Sequence, residues 1–256
     1  MSRRPVGVLP AGGQATRLKP FRYPKELMPV AYEPDGADGA VRPRGVIDYS
    51  VAAMVRAGVQ RCITVVAPWK LEILRYLGGD DLGISMSYVC QEHPRGLAAA
   101  IDLAYPWTAD DDVVMAMPDT VIRPGGFLAT TVREHYRRRA DLTLAVFPTD
   151  EADRLGPVLH DGGAVTLVED KPQRPPARNT WGAAVWGPMF AELLHAAVAA
   201  SAPDEEICLG HCFQAAVEKG LSVRAVEFPA GSFCDVGTPQ GLGMLLGSTV
   251  ARDGRP

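Results

Sequence analysis

Leu9-Pro-Ala-Gly-Gly-Gln-Ala-Thr-Arg-Leu-Lys-Pro20, followed by Tyr23-Pro-Lys-Glu-Leu-Met-Pro-Val30, decides how the rest of this chain is read. The apolar run Val6 to Leu9 predicts a first strand, which empties into a loop where Gly12 and Gly13 carry no β-carbon. Backbone N–H groups there are free to face an anion. Arg17 and Lys25 follow as two cations, placed where a strand-to-helix turn would hold a phosphate chain by amides and side chains together. Two glycines after a strand are by themselves usually a tight turn; the arginine and the Pro-Lys-x-x-x-Pro spacing set this loop apart.

Outward from that loop the chain alternates. Apolar residues at helical spacing from Ile47 reach Gly58, and Cys62 to Ala67 is a continuous apolar run, which predicts a helix and then a buried strand. The pattern repeats with helices at 71–77, 97–105 and 127–139 and strands at 84–90, 113–117 and 142–147. Strands alternating with helices predict an α/β fold, Rossmann-like, with a mixed, mainly parallel sheet flanked by helices. Beyond Phe147 the spacing predicts a hairpin over 158–168 around Asp161-Gly-Gly, a strand over 181–186, helices over 189–200 and 207–219, a strand over 223–228 and a C-terminal helix from Gly237. Residues 31–44, rich in Gly, Pro and Asp, lack a hydrophobic period and read as an exposed excursion, an insertion in one domain covering residues 1–256.

With 256 residues, the chain is long enough to bury a substantial core, and its formal charge of −4 gives no general attraction to nucleic acid or to an anionic membrane. Five cysteines, an odd number spread along the chain, argue for reduced thiols and a cytoplasmic setting rather than a disulfide framework. Cys208, His211 and Cys212 are too few for a zinc site and read as helix packing. The start Met1-Ser-Arg-Arg-Pro has no apolar signal core.

The strings G-G-x-x-T-R-L-x-P and P-K-E-L-x-P-V resemble the signature of the sugar-phosphate nucleotidylyltransferases, the family of glucose-1-phosphate thymidylyltransferase and uridylyltransferase. The resemblance implies the nucleotide-diphospho-sugar transferase type of fold and a reaction in which a sugar 1-phosphate attacks the α-phosphorus of a nucleoside triphosphate, releasing pyrophosphate with the help of Mg²⁺. It implies that Ala11, Gly12, Gly13 and Thr16 wrap the triphosphate and that Arg17 and Lys25 neutralise it. Ala15 departs from the family's glycine. Arg44-Gly-Val-Ile corresponds to the family's K-P-M-I-like turn, which places 31–44 as the insertion.

Other elements follow in the family's order. Asp119, after the strand over 113–117, corresponds to the metal-binding aspartate, although Pro118 replaces a glycine; read alone, it is a turn or helix cap. Asp235, in Phe233-Cys-Asp-Val-Gly-Thr-Pro, corresponds to the second metal ligand, and Thr238 is the better helix cap. Gln91 and Gly96, in Gln-Glu-His-Pro-Arg-Gly-Leu-Ala, correspond to the reader of a pyrimidine, a glutamine amide offering donor and acceptor together; His93 and Arg95 read as solvent-facing. Asp170 and Lys171 correspond to the acid and lysine that hold the acceptor's hydroxyls and phosphate, and Gly156 and Gly182 to glycines beside the sugar, though strand glycines also mark bulges.

The resemblance implies dTTP or UTP and a sugar 1-phosphate as partners, with no nucleic acid or membrane; a homo-oligomer stays open. It leaves no room after the last helix for the left-handed β-helix of some longer relatives. Another phosphorylated acceptor, a cyclitol phosphate or phosphonate, and a catalytically silent regulatory homologue remain as alternatives. A dehydrogenase is disfavoured because G-x-G-x-x-G is absent.

Overall fold

The computed structural model describes residues 5–14, 16–18, 23–35, 40–78, 82–202 and 204–253. Ala15 lies outside them, as does the side chain of Thr16. The strands are β1 (Val6–Pro10), β2 (Pro29–Asp35), β3 (Ala40–Gly45), β4 (Arg61–Val66), β5 (Ser85–Cys90), β6 (Val113–Ala116), β7 (Thr120–Arg123), β8 (Leu142–Pro148), β9 (Val158–Asp161), β10 (Ala164–Val168), β11 (Asn179–Trp186), β12 (Val223–Glu227) and β13 (Ser232–Asp235). The helices are α1 (Val46–Arg56), α2 (Leu71–Tyr76), α3 (Gly96–Asp102), α4 (Tyr105–Thr108), α5 (Phe127–Arg138), α6 (Pro188–Ala200), α7 (Leu209–Glu218) and α8 (Pro239–Asp253).

A nine-stranded sheet runs β5-β4-β1-β6-β11-β8-β12-β10-β9. Only β11 and β10 run against the others, so the sheet is mixed and mainly parallel. Its central strands are apolar on both faces, as strands covered on both sides require. Residues of alternate parity separate cleanly: Val6 and Val8, Val113 and Met115, and Leu142, Leu144 and Val146 join Phe190, Leu194 and Phe213 of α6 and α7. Leu9, Val114, Ala116, Ala145 and Phe147 join Ile47 and Met54 of α1 and Phe127 and Leu128 of α5 on the other face.

The stretch 31–44 departs from the expected loop. Its described residues belong to a two-stranded antiparallel ribbon, β2 with β3, whose Tyr32 and Val41 are exposed. The pairing occurs although Pro29, Pro34 and Pro43 lie in it, because a two-stranded ribbon has free edges where a missing N–H is tolerated. Three short elements had no sequence signal: α4, β7 and β13. The last two pair antiparallel, Asp235 opposite Thr120 and Ser232 opposite Arg123.

β1 lies between β4 and β6 and is parallel to both, so the chain reverses its direction of winding there. Open α/β sheets take their ligands at the carboxyl ends of strands beside such a switch point. The glycine loop follows β1 and Asp119 follows β6 at that edge.

Gly182 is explained by packing. It sits at the register shift between Trp181 and Ala183, and a β-carbon there would lie 2.9 Å from Phe233, 3.0 Å from Ile122 and 3.1 Å from Phe147. Gly182→Ala is expected to destabilise the fold by about 1–3 kcal/mol through overpacking. A thermal melt beside the parent checks this, and an unchanged midpoint refutes the packing account.

Candidate active site

The carboxyl edge of β1 and β6 collects four charged side chains from distant parts of the chain. Lys25 opens a short 3₁₀ turn, Lys25–Leu27, and its ammonium donates to Asp119 Oδ2. Arg17 donates to Asp235 Oδ2 at 3.2 Å. The β7–β13 pairing brings the carboxylates together, since Asp119 precedes β7, Asp235 ends β13, and Val236 N–H bonds the Asp119 carbonyl at 3.0 Å. Gly237 N–H donates to Asp235 Oδ1 at 2.6 Å, while Thr238 accepts from Gly241 N–H at the start of α8. Asp235 is thus not the cap of that helix.

Burial is the largest influence on Lys25, Asp119 and Asp235, and their ion pair overrides it for the first two. For Lys25, burial favours the neutral amine, but Asp119, with Glu26 and Asp235 behind it, carries the ammonium above its ordinary value. Asp119 is pushed up by burial and pulled down further by Lys25, so it ends below the usual carboxylate range. Asp235 goes the other way: burial and the neighbouring Asp119 charge raise it against Gly237, Lys25 and Arg17. Two buried carboxylates that raise one another's energy suit a cation.

The oxygen donors fit Mg²⁺, whose shell normally has only one or two protein carboxylates and takes the rest from phosphates and water. Among the described residues no three His, Cys, Asp or Glu side chains are grouped for a metal, so ligand oxygens would complete any such shell.

The glycine loop is built asymmetrically. Ala11 is buried, its N–H bonded to Val65 O at 2.7 Å. The Gln91 amide oxygen lies against Gly12, in the space a β-carbon would fill, and Gln91 is itself buried after β5. Gly13 faces open space. Gly96 opens α3 at φ +86°, and a β-carbon there would lie 2.7 Å from the Ile207 carbonyl, so its glycine is required by the 206–207 segment. Arg95 is not solvent-facing: its guanidinium donates to Ser201 Oγ and Ala202 O, both at 2.7 Å, and its carbonyl accepts from Ile207 N–H at 3.0 Å, so it ties both residues 201–202 and the 206–207 segment to the start of α3.

A cavity of about 870 Å³ opens beside the charged cluster. Arg17, Asp119, Asp235, Gly156, Asp170 and Lys171 line it, together with Trp181 and Arg154. Lys25, Gln91, Gly96 and Gly182 do not. Lys171 has φ +48°, a left-handed backbone unusual for lysine, held by its N–H bond to Leu155 O at 2.8 Å. Gly156 leaves room for the Trp181 indole, whose Nε1 is buried with no hydrogen-bond partner among the described residues. Asp170 lies toward the start of α7, its Cβ 3.5 Å from a β-carbon position on Gly210. Trp181 and Arg154 carried no sequence signal as cavity residues, because bulk and charge beside a glycine turn look the same on a solvated loop.

Among the described residues no helix is long and apolar enough to cross a membrane. The family model described as nucleotidyl transferase matches residues 6–245. A glucose-1-phosphate thymidylyltransferase of Streptomyces antibioticus is 30% identical over 96% of this chain and 66% of its own length. That of Streptomyces griseus is 30% identical over 89% of the chain and 61% of its own length, so the chain spans roughly two thirds or less of these relatives. A UTP–glucose-1-phosphate uridylyltransferase of Haloferax volcanii is 25% identical over 91% of each chain. In fold, the chain is similar to a UDP-glucose pyrophosphorylase from Acinetobacter baumannii, with TM-score 0.79, 21% identity and coverage of 98% and 95%. It is likewise similar to a UDP-glucose pyrophosphorylase complexed with UDP-glucose, with TM-score 0.81, 17% identity and coverage of 97% and 99%. From Val6 to Leu245, then, this chain belongs to the nucleotidyl transferase family.

Proposed function

We propose that the chain is a cytoplasmic, magnesium-dependent sugar-phosphate nucleotidylyltransferase that takes dTTP or UTP and a sugar 1-phosphate to a nucleotide sugar and pyrophosphate. The observation that carries this reading is the meeting of Arg17, Lys25, Asp119 and Asp235 at the switch point, with Lys171 across the adjoining cavity.

In this reading the glycine loop and Arg17 hold the triphosphate, while Gln91 and the backbone at Gly96 recognise the base. Lys171 holds the acceptor phosphate so that one of its oxygens faces the α-phosphorus. A phosphorus–oxygen bond forms there as the bond to the departing pyrophosphate breaks. The attacking oxygen is already an anion, so no general base is needed. Charge moves onto the leaving pyrophosphate, and Arg17 and Lys25 are placed to receive it. Mg²⁺ held by Asp119 and Asp235 would neutralise phosphate oxygens. Binding requires Lys25 and Arg17 to exchange their carboxylate partners for ligand oxygens.

One feature favours a second reading, transfer to another phosphorylated acceptor such as a cyclitol phosphate or phosphonate. Asp170, shorter than the family's usual glutamate, lies against the start of α7, and Trp181 fills the space beside Gly156.

Pyrophosphate release from each nucleoside triphosphate against a panel of phosphorylated acceptors tests the proposal. Pyrimidine triphosphates should be preferred, and Gln91→Ala should blur that preference, since a hydrogen-bonding site discriminates strongly. A purine triphosphate as best substrate would sink the base assignment.

Arg17→Ala is expected to lower turnover by at least ~10²-fold with the fold intact, as when one electrostatic contact of a transition state is lost. Asp119→Asn and Asp235→Asn keep side-chain size and remove the charge that would hold the cation. Turnover measured against Mg²⁺ concentration should collapse in both; Asp235→Asn should melt close to the parent, whereas Asp119→Asn leaves Lys25 without its partner and should melt lower. Parent-like magnesium dependence in both variants refutes the metal assignment.

A further inference from the structure

Lys70 is a second buried lysine at the carboxyl edge of β1, and the reaction proposed above gives it no contact with substrate. It directly precedes α2, is 3% exposed, and its ammonium donates to Ala11 O at 3.0 Å and to Glu26 Oε1 at 2.7 Å. Glu26 is 1% exposed, and its other oxygen, Oε2, is buried with no hydrogen-bond partner among the described residues. Burial drives the Glu26 carboxyl upward against the pull of Lys70.

Each contact of Lys70 reaches a different part of the phosphate-facing edge. Ala11 is the last residue before the two glycines, gripped on its N–H side by Val65. Glu26 belongs to the turn whose preceding residue, Lys25, is paired with Asp119. One ammonium therefore spans the gap between the glycine loop and the lysine turn. A buried ion pair is a poor source of net stability, because apolar groups of similar volume often serve as well. Its directional bonds instead fix the relative positions of the two backbones.

We infer that Lys70 is a positioning residue for the nucleotide: by holding Ala11 O and Glu26 together, it sets the spacing between the glycine loop and the Lys25–Asp119 pair. This rests on the nucleotidyl transfer reading. Lys70 touches no reacting atom. It acts through the loop amides and through Lys25, so its removal should weaken capture of the triphosphate more than it slows a bound one.

The test uses Lys70→Met and the double variant Lys70→Met/Glu26→Leu, with melts, calorimetric titration of UTP and dTTP in Mg²⁺, steady-state kinetics, and amide exchange over residues 11–13. Lys70→Met alone leaves the Glu26 charge buried and should melt well below the parent. The double variant removes both charges and should recover most of that loss. Even so, its triphosphate KM and Kd should stay at least ~10-fold above the parent's, about 1.4 kcal/mol of binding. Its 11–13 amides should also exchange faster. Parent-like binding and exchange in a well-folded double variant would overturn the inference and leave the proposed function standing. A parent that binds neither triphosphate would overturn both.

Discussion

The pairing of β13 with β7 is the constraint on which the charged edge depends. Asp119, in the middle of the chain, and Asp235, near its last helix, are far apart in sequence, and four ladder positions bring them side by side in a setting that water only partly reaches. Burial, and then the opposition of the neighbouring Asp119 charge, make Asp235 hold its proton more readily than an ordinary aspartate. Lys25 and Arg17 offset that opposition, and the four side chains together carry no net charge. The arrangement is an electrostatic balance with interchangeable partners. A polyphosphate can satisfy the two cations and a divalent ion the two anions without leaving a buried charge alone.

The large sheet makes that balance possible by fixing where β1 and β6 end. Their apolar alternation locks both strands between helices on two faces, and a slip of one residue would turn every side chain to the wrong face. The loops leaving them inherit that precision. Gly12 is filled from behind by Gln91, and Gly13 is not filled, so two adjacent glycines do different work: one admits a side chain, the other exposes backbone.

Much of this was legible in the sequence. Long segments with a clear period, such as those forming α1, α5, β4 and β8, fall within a residue or two of expectation, because burial on a known face is written in every second or every third and fourth residue. The loop and its two cations were visible because residue type and spacing both carry the chemistry. What escaped was short or paired at long range. β7 and β13 have four residues each, too few for alternation to stand out, and each is stabilised by the other rather than by its own pattern. Proline-rich β2 and β3 form a ribbon whose free edges suit their composition. Lys70 follows Pro68-Trp69 with nothing to separate a buried lysine from a solvated one; only the fold supplies Glu26 and Ala11 as its partners. Arg95 misled in the same way, and Gly182, which resembled a ligand-side glycine, answers to Phe233, Ile122 and Phe147.

The nucleotide and acceptor sides of the proposed site are built differently, and this bears on how such a site diversifies. The nucleotide side rests on backbone: β1 and its loop, the Lys25 turn and the β7–β13 ribbon, each fixed by hydrogen bonds to several neighbours. The acceptor side is built from residues 154–156 and 170–171, which lie outside the strands, and from Trp181 of β11. Lys171 N–H bonds Leu155 O, Trp181 N–H bonds Gly156 O, and the Trp181 indole lies against Gly156, so residues 155–156, 171 and 181 are tied to one another. A left-handed lysine costs about 1–2 kcal/mol relative to its preferred backbone, and these bonds sustain it. Changing Arg154 or Asp170 reshapes the acceptor side without touching the sheet, the glycine loop or the paired aspartates, whereas Trp181 is itself part of β11. On the proposed reading, the nucleotide chemistry is therefore anchored in the fold itself, while the choice of acceptor is carried by a few side chains on its rim.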